Sequence, residues 1–365
     1  MALSKIPSAG FQDNVKFRNL IINGSMDIAQ RGTSVTNADT GYRTCDRWRL
    51  SRGAGTITMS QATDAPTGSG FVKSLKFLEA GSGANPGASD ANIITQRIEG
   101  QNLQYLLKGT SSAKSLILSF WIKASVTGTY IANLTDDDNS RFISKAYTVS
   151  SANTWEYKTV TFEGDTTGAF ANDNGRSLDL NLYFGAGSNF TSGTLNTSWN
   201  SYTAANQAVG QVNPLASANG YVQWTGVQLE AGTTASDFET LPTDINLMRC
   251  KKYFQTKGTS LSPNAFTNNQ TVAMGLARTV SQAQCYMELN PIMRSEPTVS
   301  GIGTLSNLKC HTATGGNVNT SSIGSDGTPN RQQVTYLANN LTSGLNNNEP
   351  IRLYGDYTIT FDAEL

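Results

Sequence analysis

The sequence predicts an all-β fold, with an N-terminal jelly-roll β-sandwich followed by a smaller C-terminal β domain. Apolar residues recur at every second position in segments such as 116–123 and 178–184, which is typical of half-buried antiparallel strands. Clusters of turn residues separate these segments, as at 81–87 and 136–140. Helical periodicity is scarce. Many short strands with turns between them indicate a sandwich or a jelly roll.

The chain divides into four predicted segments. Residues 1–18 contain no obvious core element and are predicted to form an N-terminal arm. The first set of strands spans 19–240, which we assign to the jelly roll. A short helical linker is expected at 241–248, because Pro242 marks a junction there. The second set of strands spans 249–365 and is expected to form a C-terminal β-sandwich at the tip of the molecule.

Most of the predicted elements are strands. Two short helices are expected, one over 102–107 and one over 243–250 with Thr243 or Asp244 as its N-cap. In the first set the strands are expected near 54–60, 71–79, 92–98, 116–123, 128–135, 142–149, 159–163, 178–184 and 220–230. In the second set they are expected near 251–257, 270–278, 283–289, 332–338 and 351–361.

Composition and charge disfavour several classes of protein. Lys plus Arg and Asp plus Glu both number 27, so the formal net charge is zero, and charged residues make up only 15% of the chain. Nucleic-acid binding through clustered Lys and Arg is therefore not expected, nor is attraction to anionic membranes. No apolar run approaches the roughly 20 residues that span a bilayer, so membrane insertion is not expected either.

The reactive side chains argue against common catalytic centres. The single histidine, His311, would have to serve any Ser-His-Asp or Cys-His arrangement, and its neighbour Cys310 should point to the opposite face of a strand. Residues 1–7 lack the apolar segment of a signal peptide, so we expect assembly in a reducing cytosol. Free thiols are predicted at the four cysteines, which have no CxxC spacing: Cys45, Cys250, Cys285 and Cys310.

One long segment has the composition of a sugar-binding loop. No charged residue occurs between Asp179 and Glu230, and 188–219 is rich in Asn, Ser, Thr, Gly and Ala. Sugars present apolar C–H faces and many hydroxyl groups, so an aromatic ring beside neutral amides suits them. The alternative is that Trp199 fixes the loop onto the sandwich. The candidate glycan-binding residues are Asn189, Phe190, Trp199, Asn200, Tyr202 and Asn206.

Several motifs together resemble bacteriophage tail-fibre and related virion fibre proteins. They are NLIINGSMDIAQRGT (19–33), CDRWRL (45–50), LILSFWIK (116–123), GVQLEAGTTASDFE (226–239) and LMRCKKYF (247–254). In that family the first motif opens a jelly roll similar to carbohydrate-binding modules, and the GVQLEAG strand closes it. The resemblance covers residues 19 to about 255. It implies a homotrimer, and trimerisation would also protect open sheet edges.

The resemblance guides the interpretation of individual residues. We expect Trp48 to lie in the core, with Asp46 and Arg47 paired at its edge. Trp121 and Trp224 lie in strand patterns and are expected in the core or at a subunit interface.

Carboxylates cluster in the turn 136–139, which lacks the ligand spacing of an EF-hand, and a solvated turn is expected there. Because jelly-roll carbohydrate modules often carry a structural calcium ion, we keep that ion as an alternative without assigning ligands. No other cofactor is expected.

These observations predict a non-enzymatic virion structural protein, a tail-fibre or spike subunit that recognises a host-surface glycan. The arm would contact other virion proteins, and the protein would be located in the virion. One alternative is a capsid decoration or head-fibre protein. A polysaccharide depolymerase is disfavoured, because glycoside hydrolysis needs two nearby carboxylates and acids are sparse here. A carbohydrate-binding module of a bacterial enzyme would require an enzyme domain and a signal peptide.

Overall fold

A computed structural model describes residues 17–258, 271–302, 308–312, 317–319, 322–325, 331, 333–339, 345–355 and 358–365. The predicted fold class is confirmed, since the described chain is nearly all β with antiparallel sheets. Most of the predicted arm lies outside the described residues, as do residues 270, 332, 356 and 357 of three predicted strands. Among the described helices none is long and apolar enough to cross a membrane.

The N-terminal part contains thirteen strands. They are β1 (Ser34–Val35), β2 (Gly41–Tyr42), β3 (Arg49–Ser51), β4 (Ile57–Ala62), β5 (Ser74–Glu79), β6 (Ala91–Glu99), β7 (Leu116–Ala124), β8 (Gly128–Asp136), β9 (Arg141–Val149), β10 (Glu156–Phe162), β11 (Arg176–Ala186), β12 (Asn200–Ser201) and β13 (Tyr221–Ala231). The helix predicted over 102–107 is instead two 3₁₀ turns, Gly100–Asn102 and Gln104–Leu106. A short helix, α1 (Ser188–Thr191), begins the long uncharged loop.

Two antiparallel sheets form the N-terminal sandwich. The six-stranded sheet has the order β1-β4-β5-β13-β7-β10, and the seven-stranded sheet has the order β12-β9-β8-β11-β6-β3-β2. Side chains alternate along each strand, so Leu118, Phe120 and Ile122 of β7 are fully buried between the sheets. Trp224 of β13 is also buried, as expected, whereas Trp121 lies half-buried on the outer face and is not a core residue.

The opening and closing motifs of the resemblance bind each other. Asn19 accepts hydrogen bonds from the backbone N–H groups of Ile21 and Leu229, at 2.9 and 3.1 Å. The buried carboxylate of Glu230 accepts hydrogen bonds from both the backbone N–H and the hydroxyl of Ser236. These polar groups satisfy buried backbone and therefore stabilise the closure of the sandwich.

The DRW motif is also structural, but its partners differ from those expected. Trp48 is fully buried, in agreement with the prediction. Arg47 does not pair with Asp46. It forms an ion pair with Glu364 near the end of the C-terminal domain, while Asp46 accepts a 2.9 Å hydrogen bond from the backbone N–H of Gln30. Arg47 has φ = 71°, in the left-handed region that is uncommon for residues other than glycine.

The helix between the two domains, α2 (Thr243–Lys251), begins one residue earlier than its predicted caps allow. The carbonyl of Pro242 accepts the first helical hydrogen bond, from Asn246 N–H, so Pro242 occupies the N-cap position. Neither Thr243 nor Asp244 caps the helix. A short helix can lose a capping bond where tertiary contacts hold it.

The described residues of the C-terminal domain form a three-stranded and a seven-stranded antiparallel sheet. The orders are β14-β23-β17 and β19-β18-β22-β15-β16-β21-β20. The strands are β14 (Phe254–Gly258), β15 (Thr271–Thr279), β16 (Gln282–Glu288), β17 (Thr298–Ile302), β18 (Leu308–Thr312), β19 (Asn317–Asn319), β20 (Ser322–Ser325), β21 (Gln333–Asn339), β22 (Pro350–Gly355) and β23 (Thr358–Asp362). All four cysteines of the chain are buried and free, as predicted.

Ion pairs that are at least partly buried join the two domains. Arg31, in the opening motif, lies 3.1 Å from a carboxylate oxygen of Asp362 and 3.3 Å from one of Glu364. Lys252, just after α2, pairs with the fully buried Glu99 of β6 at 2.7 Å. Separating the domains would leave these charged side chains without partners, at a high cost in free energy. The ion pairs therefore stabilise the contact between the jelly roll and the C-terminal domain.

Candidate functional site

An aromatic groove of about 800 Å³ crosses the outer face of the six-stranded sheet. Trp121 of β7 and Tyr157 of β10 are register partners there, and their ring centroids are 5.4 Å apart. Tyr157 is 46% exposed. Phe71 and Phe238, which lie outside the strands, meet edge to face with centroids 4.9 Å apart and complete the lining. We call these four residues and the space between them the aromatic groove.

Phe71 reaches the sheet because β13 lacks a side chain at Gly226. The register of β13 with β7 shifts between Thr225 and Gln228, and Gly226 has φ = 61° at this irregularity. A Cβ atom on Gly226 would lie 2.6 Å from the ring of Phe71 and 3.3 Å from that of Trp121. Glycine therefore permits both the backbone conformation and the close approach of the two rings.

Hydroxyl groups lie beside the rings. Ser119 and Thr159 are register partners on β7 and β10, and Thr161 follows on the same face. None of these three side chains has a hydrogen-bond partner among the described residues. The segment 233–236 adds further hydroxyl groups, and of the described residues lining the groove only Asp237 is charged. The groove thus offers apolar rings and free neutral hydroxyls.

A polar cluster continues the same face beyond Trp121. Asp64 accepts hydrogen bonds from Lys123 Nζ at 2.8 Å, from Trp155 Nε1 at 3.1 Å and from Gln223 Nε2 at 2.6 Å. Desolvation raises the pKa of Asp64, but the hydrogen bonds from these three donors outweigh it and the pKa lies below its ordinary value. An ionised carboxylate therefore stands at the end of the aromatic row, held by fixed donors.

This arrangement has the chemistry to bind a sugar. A sugar ring can lie with its C–H face on Trp121 or Tyr157 while its hydroxyls bond to the free hydroxyls beside them. Glycoside hydrolysis canonically uses two carboxyl groups about 5–10 Å apart. Asp237 is the single carboxyl among the described residues lining the groove. The lining residues therefore do not supply the usual acid pair.

The predicted loop site is divided between two places. Trp199 is half-buried against the core of the sandwich, and its Nε1–H donates to the carbonyl of Glu163 at 2.7 Å. Tyr202 is 52% exposed and contacts Phe142 of β9, with ring centroids 5.9 Å apart. Asn200 is exposed on β12. These contacts favour the alternative role of Trp199, which is to fix the loop.

The other three loop candidates lie around α1. Phe190 packs half-buried against Ile131 and Tyr183, on the outer face of the seven-stranded sheet. Asn189 donates to the hydroxyl of Ser89 at 3.0 Å. Asn206 accepts a hydrogen bond from the backbone N–H of Thr194 and donates to Asn196, so it holds the loop together. Glycan contact by the six loop residues stays a prediction.

Sequence reasoning missed Trp121 and Tyr157 as site residues. The period-two pattern did contain the signal, since Trp121 is out of phase with the apolar positions Leu118, Phe120 and Ile122. The period-two pattern gives no indication that Phe71 belongs to the groove, because Phe71 reaches the groove from a loop.

The acidic turn after β8 contacts a lysine. Lys108 Nζ lies 2.5 Å from a carboxylate oxygen of Asp136 and 3.1 Å from one of Asp165. It also donates to the carbonyls of Thr167 and Gly168, at 2.8 and 2.7 Å. Asp137 and Asp138 are exposed, as expected for a solvated turn, whereas Asp136 at the end of β8 is fully buried and departs from that expectation. The ammonium group of Lys108 is therefore surrounded by four oxygen atoms and supplies positive charge at the corner between Asp136 and Asp165.

No calcium ligands can be assigned. Among the described residues no group of three or more His, Cys, Asp or Glu side chains is arranged to hold a metal ion. A structural calcium ion stays a prediction.

His311 and Cys310 are neighbours on β18. Cys310 is fully buried in the core of the C-terminal domain, whereas His311 is half-buried and lies edge to face with Tyr354 at 6.2 Å. The two side chains therefore leave opposite faces of the strand, as the sequence predicts.

The chain was compared with known proteins. No family model matches it, and no curated protein matches. Solved structures that match include a tailspike protein 4 enzymatically active domain of bacteriophage CBA120, at 15% identity and a TM-score of 0.36, over 59% of this chain and 22% of that one. The chain therefore spans about a fifth of the tailspike chain.

Several carbohydrate-binding modules also match. TmCBM61, solved with β-1,4-galactotriose, has 11% identity and a TM-score of 0.32, over 59% of this chain and 99% of the module. The N-terminal cellulose-binding domain of Cellulomonas fimi β-1,4-glucanase C has 10% identity and a TM-score of 0.27, over 57% of this chain and all of that domain. At these values none of them identifies a family for this chain.

Proposed function

We propose that the protein is a non-enzymatic glycan-binding protein and that the aromatic groove is its binding site. The observation that carries the proposal is the pair of half-exposed rings of Trp121 and Tyr157, 5.4 Å apart, beside hydroxyl groups that have no partner among the described residues. The rings desolvate the apolar face of a sugar, and the exposed hydroxyls of Thr159 and Thr161 exchange water for sugar hydroxyls.

The groove favours a neutral glycan segment. Its described lining contains one charged residue, Asp237, so an anionic sugar gains little there. Two half-exposed rings and a few hydroxyl groups offer only a small contact area to a sugar. Because such a site is weak, several copies on one particle would bind a surface far more tightly than one.

We further propose that this binding serves host recognition by a virion fibre or spike, as a homotrimer. The motifs of the resemblance support this setting, and the N-terminal arm would attach the fibre to other virion proteins. Exposed apolar side chains on β15 and β16, such as Met274 and Tyr286, are available for contact with neighbouring protomers. A capsid decoration protein is the alternative, which imaging of labelled particles would distinguish.

The binding site is tested by substitution of one ring at a time. Trp121→Ala and Tyr157→Ala should each weaken binding of the full chain to a panel of immobilised neutral bacterial polysaccharides by about tenfold, or about 1.4 kcal/mol. Tyr202→Ala is the matched control, since it removes an equally exposed ring at the predicted loop site. Circular dichroism checks that each variant folds.

The outcomes separate the two sites. If Tyr202→Ala abolishes binding and Trp121→Ala leaves it unchanged, the loop residues carry the site and the groove proposal is wrong. Light scattering of the same samples tests the trimer, which requires a mass about three times 39.1 kDa. Release of reducing sugar from any polysaccharide would overturn the non-enzymatic assignment.

A further inference from the structure

A second cavity, of about 410 Å³, lies where the jelly roll meets the residues of α2 and those just after it. Four cationic side chains line it: Arg47, Arg97, Arg249 and Lys252. No Asp or Glu is among its described lining residues. We propose that this cavity binds the oxyanion group of a small molecule, a phosphate or a carboxylate, at a site separate from the aromatic groove.

One of the four cations, Arg249, has no carboxylate partner among the described residues. Lys252 pairs with Glu99, and Arg47 pairs with Glu364. Arg97 donates a hydrogen bond to an oxygen of Leu365, the last residue in the structure. The guanidinium of Arg249 makes one long hydrogen bond, 3.3 Å, to a backbone carbonyl. Burial lowers the pKa of Arg249, although nearby Glu239 partly offsets it. An anion in the cavity would supply the missing charge.

Arg47 adds a donor that the protein leaves unused. Its side chain is 1% exposed, and its Nε has no hydrogen-bond partner among the described residues. The guanidinium is held 3.5 Å from the ring centroid of Tyr253, and one of its terminal nitrogens donates to the carbonyl of Arg97. A buried, fixed and unpaired N–H beside a cationic cavity costs free energy unless a ligand or water accepts from it.

The chemistry of the lining points to an oxyanion on a polar body. Planar guanidinium groups bind carboxylates and phosphates through two parallel hydrogen bonds. Tyr105 and Asn102 also line the cavity and can contact the rest of the ligand. Burial, with smaller effects of Glu230 and Glu239, raises the pKa of Tyr105 to about 12, so its hydroxyl stays protonated and can donate. Phosphorylated sugars and uronic acids have this chemistry, and so does free phosphate.

Isothermal titration calorimetry of the full chain tests the proposal with three probes: inorganic phosphate, glucose 6-phosphate and glucose. We expect both phosphates to bind and glucose not to bind. Arg249→Gln should weaken phosphate binding at least about tenfold, and Arg249→Lys should restore part of it. Arg43→Gln is the matched control, because Arg43 is a surface arginine paired with Asp39. It should leave phosphate binding unchanged.

The results separate the two sources of the oxyanion. Binding of inorganic phosphate alone identifies a free anion, whereas tighter binding of glucose 6-phosphate identifies a ligand with a sugar body. Absence of phosphate binding to the wild-type chain overturns the proposal, as does unchanged affinity in Arg249→Gln. If Arg249→Gln does not fold, Tyr105→Phe removes one hydroxyl and should still weaken binding of glucose 6-phosphate several-fold. The same titrations of the Trp121→Ala variant remove the contribution of the aromatic groove, and there the phosphate affinities should be unchanged.

Discussion

Lys108 shows how much a single buried charge contributes in this fold. Its ammonium is held by the carboxylates of Asp136 and Asp165, and both carboxylates are almost completely buried. We expect Lys108→Met to lower the free energy of unfolding by about 3–5 kcal/mol, because the buried carboxylate of Asp136 loses its counter-charge, whereas Asp165 keeps Arg141 at 2.7 Å. Lys145→Met, which breaks an ion pair with the exposed Glu163, should cost less than about 1 kcal/mol.

Chemical denaturation of the three proteins in one buffer measures these differences. Equal losses for the two lysine variants would contradict the interpretation, since they would mean that the Lys108 corner is as well hydrated as the surface.

Asp46 makes stability depend on pH. Burial raises its pKa to about 6, although the charge of Arg31 and hydrogen bonds from Gln30 partly offset this. Because the folded pKa exceeds the ordinary value, the folded state binds the proton more tightly than the unfolded state. The contribution of Asp46 is therefore greatest below about pH 4 and is lost as pH rises through about 6. The loss amounts to at most about 3 kcal/mol.

The Asp46→Asn variant isolates this effect. It cannot titrate, so its free energy of unfolding should change less between about pH 4 and pH 6.5 than that of the wild type. Urea unfolding at several pH values measures both proteins. Parallel pH profiles would show that Asp46 titrates normally in the folded chain.

Among the strands, β13 contains the position that shapes the aromatic groove. Gly226→Ala should place a Cβ atom 2.6 Å from Phe71 and displace its ring. We expect the variant to lose about 1–3 kcal/mol of stability and to bind glycan more weakly, since the groove loses one wall. Gly68→Ala is the control, because Gly68 has φ = 78° but nothing within 4 Å of its added Cβ. Gly68→Ala should lose stability because of backbone strain but should bind glycan as the wild type does.

Much of the strand pattern could be predicted from the sequence. The alternation of apolar and polar side chains in 116–123 and 178–184 predicted β7 and β11. Successive side chains of a strand point to opposite faces of the sheet, so every second residue is buried. The helix predicted over 102–107 was wrong in type, since the chain there forms two separate 3₁₀ turns with Leu107 in the left-handed conformation. Local periodicity over six residues does not separate such turns from an α-helix.

The candidate site was less predictable. The period-two alternation of the strands predicts that Trp121 and Tyr157 face outward. It does not predict that the two rings are adjacent, because this depends on which strands are neighbours in the sheet. Phe71 and Phe238 lie in loops far apart in sequence, and only the folded chain brings them together. The loop of 188–219 looked suitable for sugars because it is neutral. In the structure several of its amides bond to the loop itself, as Asn206 does.

At the scale of the whole molecule, the buried junction should make the two domains unfold together. Glu364 neutralises Arg47 and Arg31, and its side chain is 5% exposed. Glu364→Gln leaves both arginines without full compensation, so we expect it to cost about 3–5 kcal/mol of stability. The wild type should give one calorimetric transition, and the variant should give two.

Differential scanning calorimetry checks this prediction. Asp39→Asn removes a surface partner of Arg43 and serves as the control, which should keep a single transition near the wild-type temperature. Two transitions in the wild type would instead mean that the domains are joined without thermodynamic coupling.

Because Lys108 is part of the chain, the positive charge between Asp136 and Asp165 does not depend on the concentration of any free ion. A bound metal ion leaves when its free concentration falls, so a corner held by a metal weakens on dialysis or in a chelator. A cation attached through four methylene groups to the backbone cannot be diluted away, and no ion needs to be acquired during folding. Chelators and low ionic strength should therefore leave the corner between Asp136 and Asp165 intact, wherever the protein is carried.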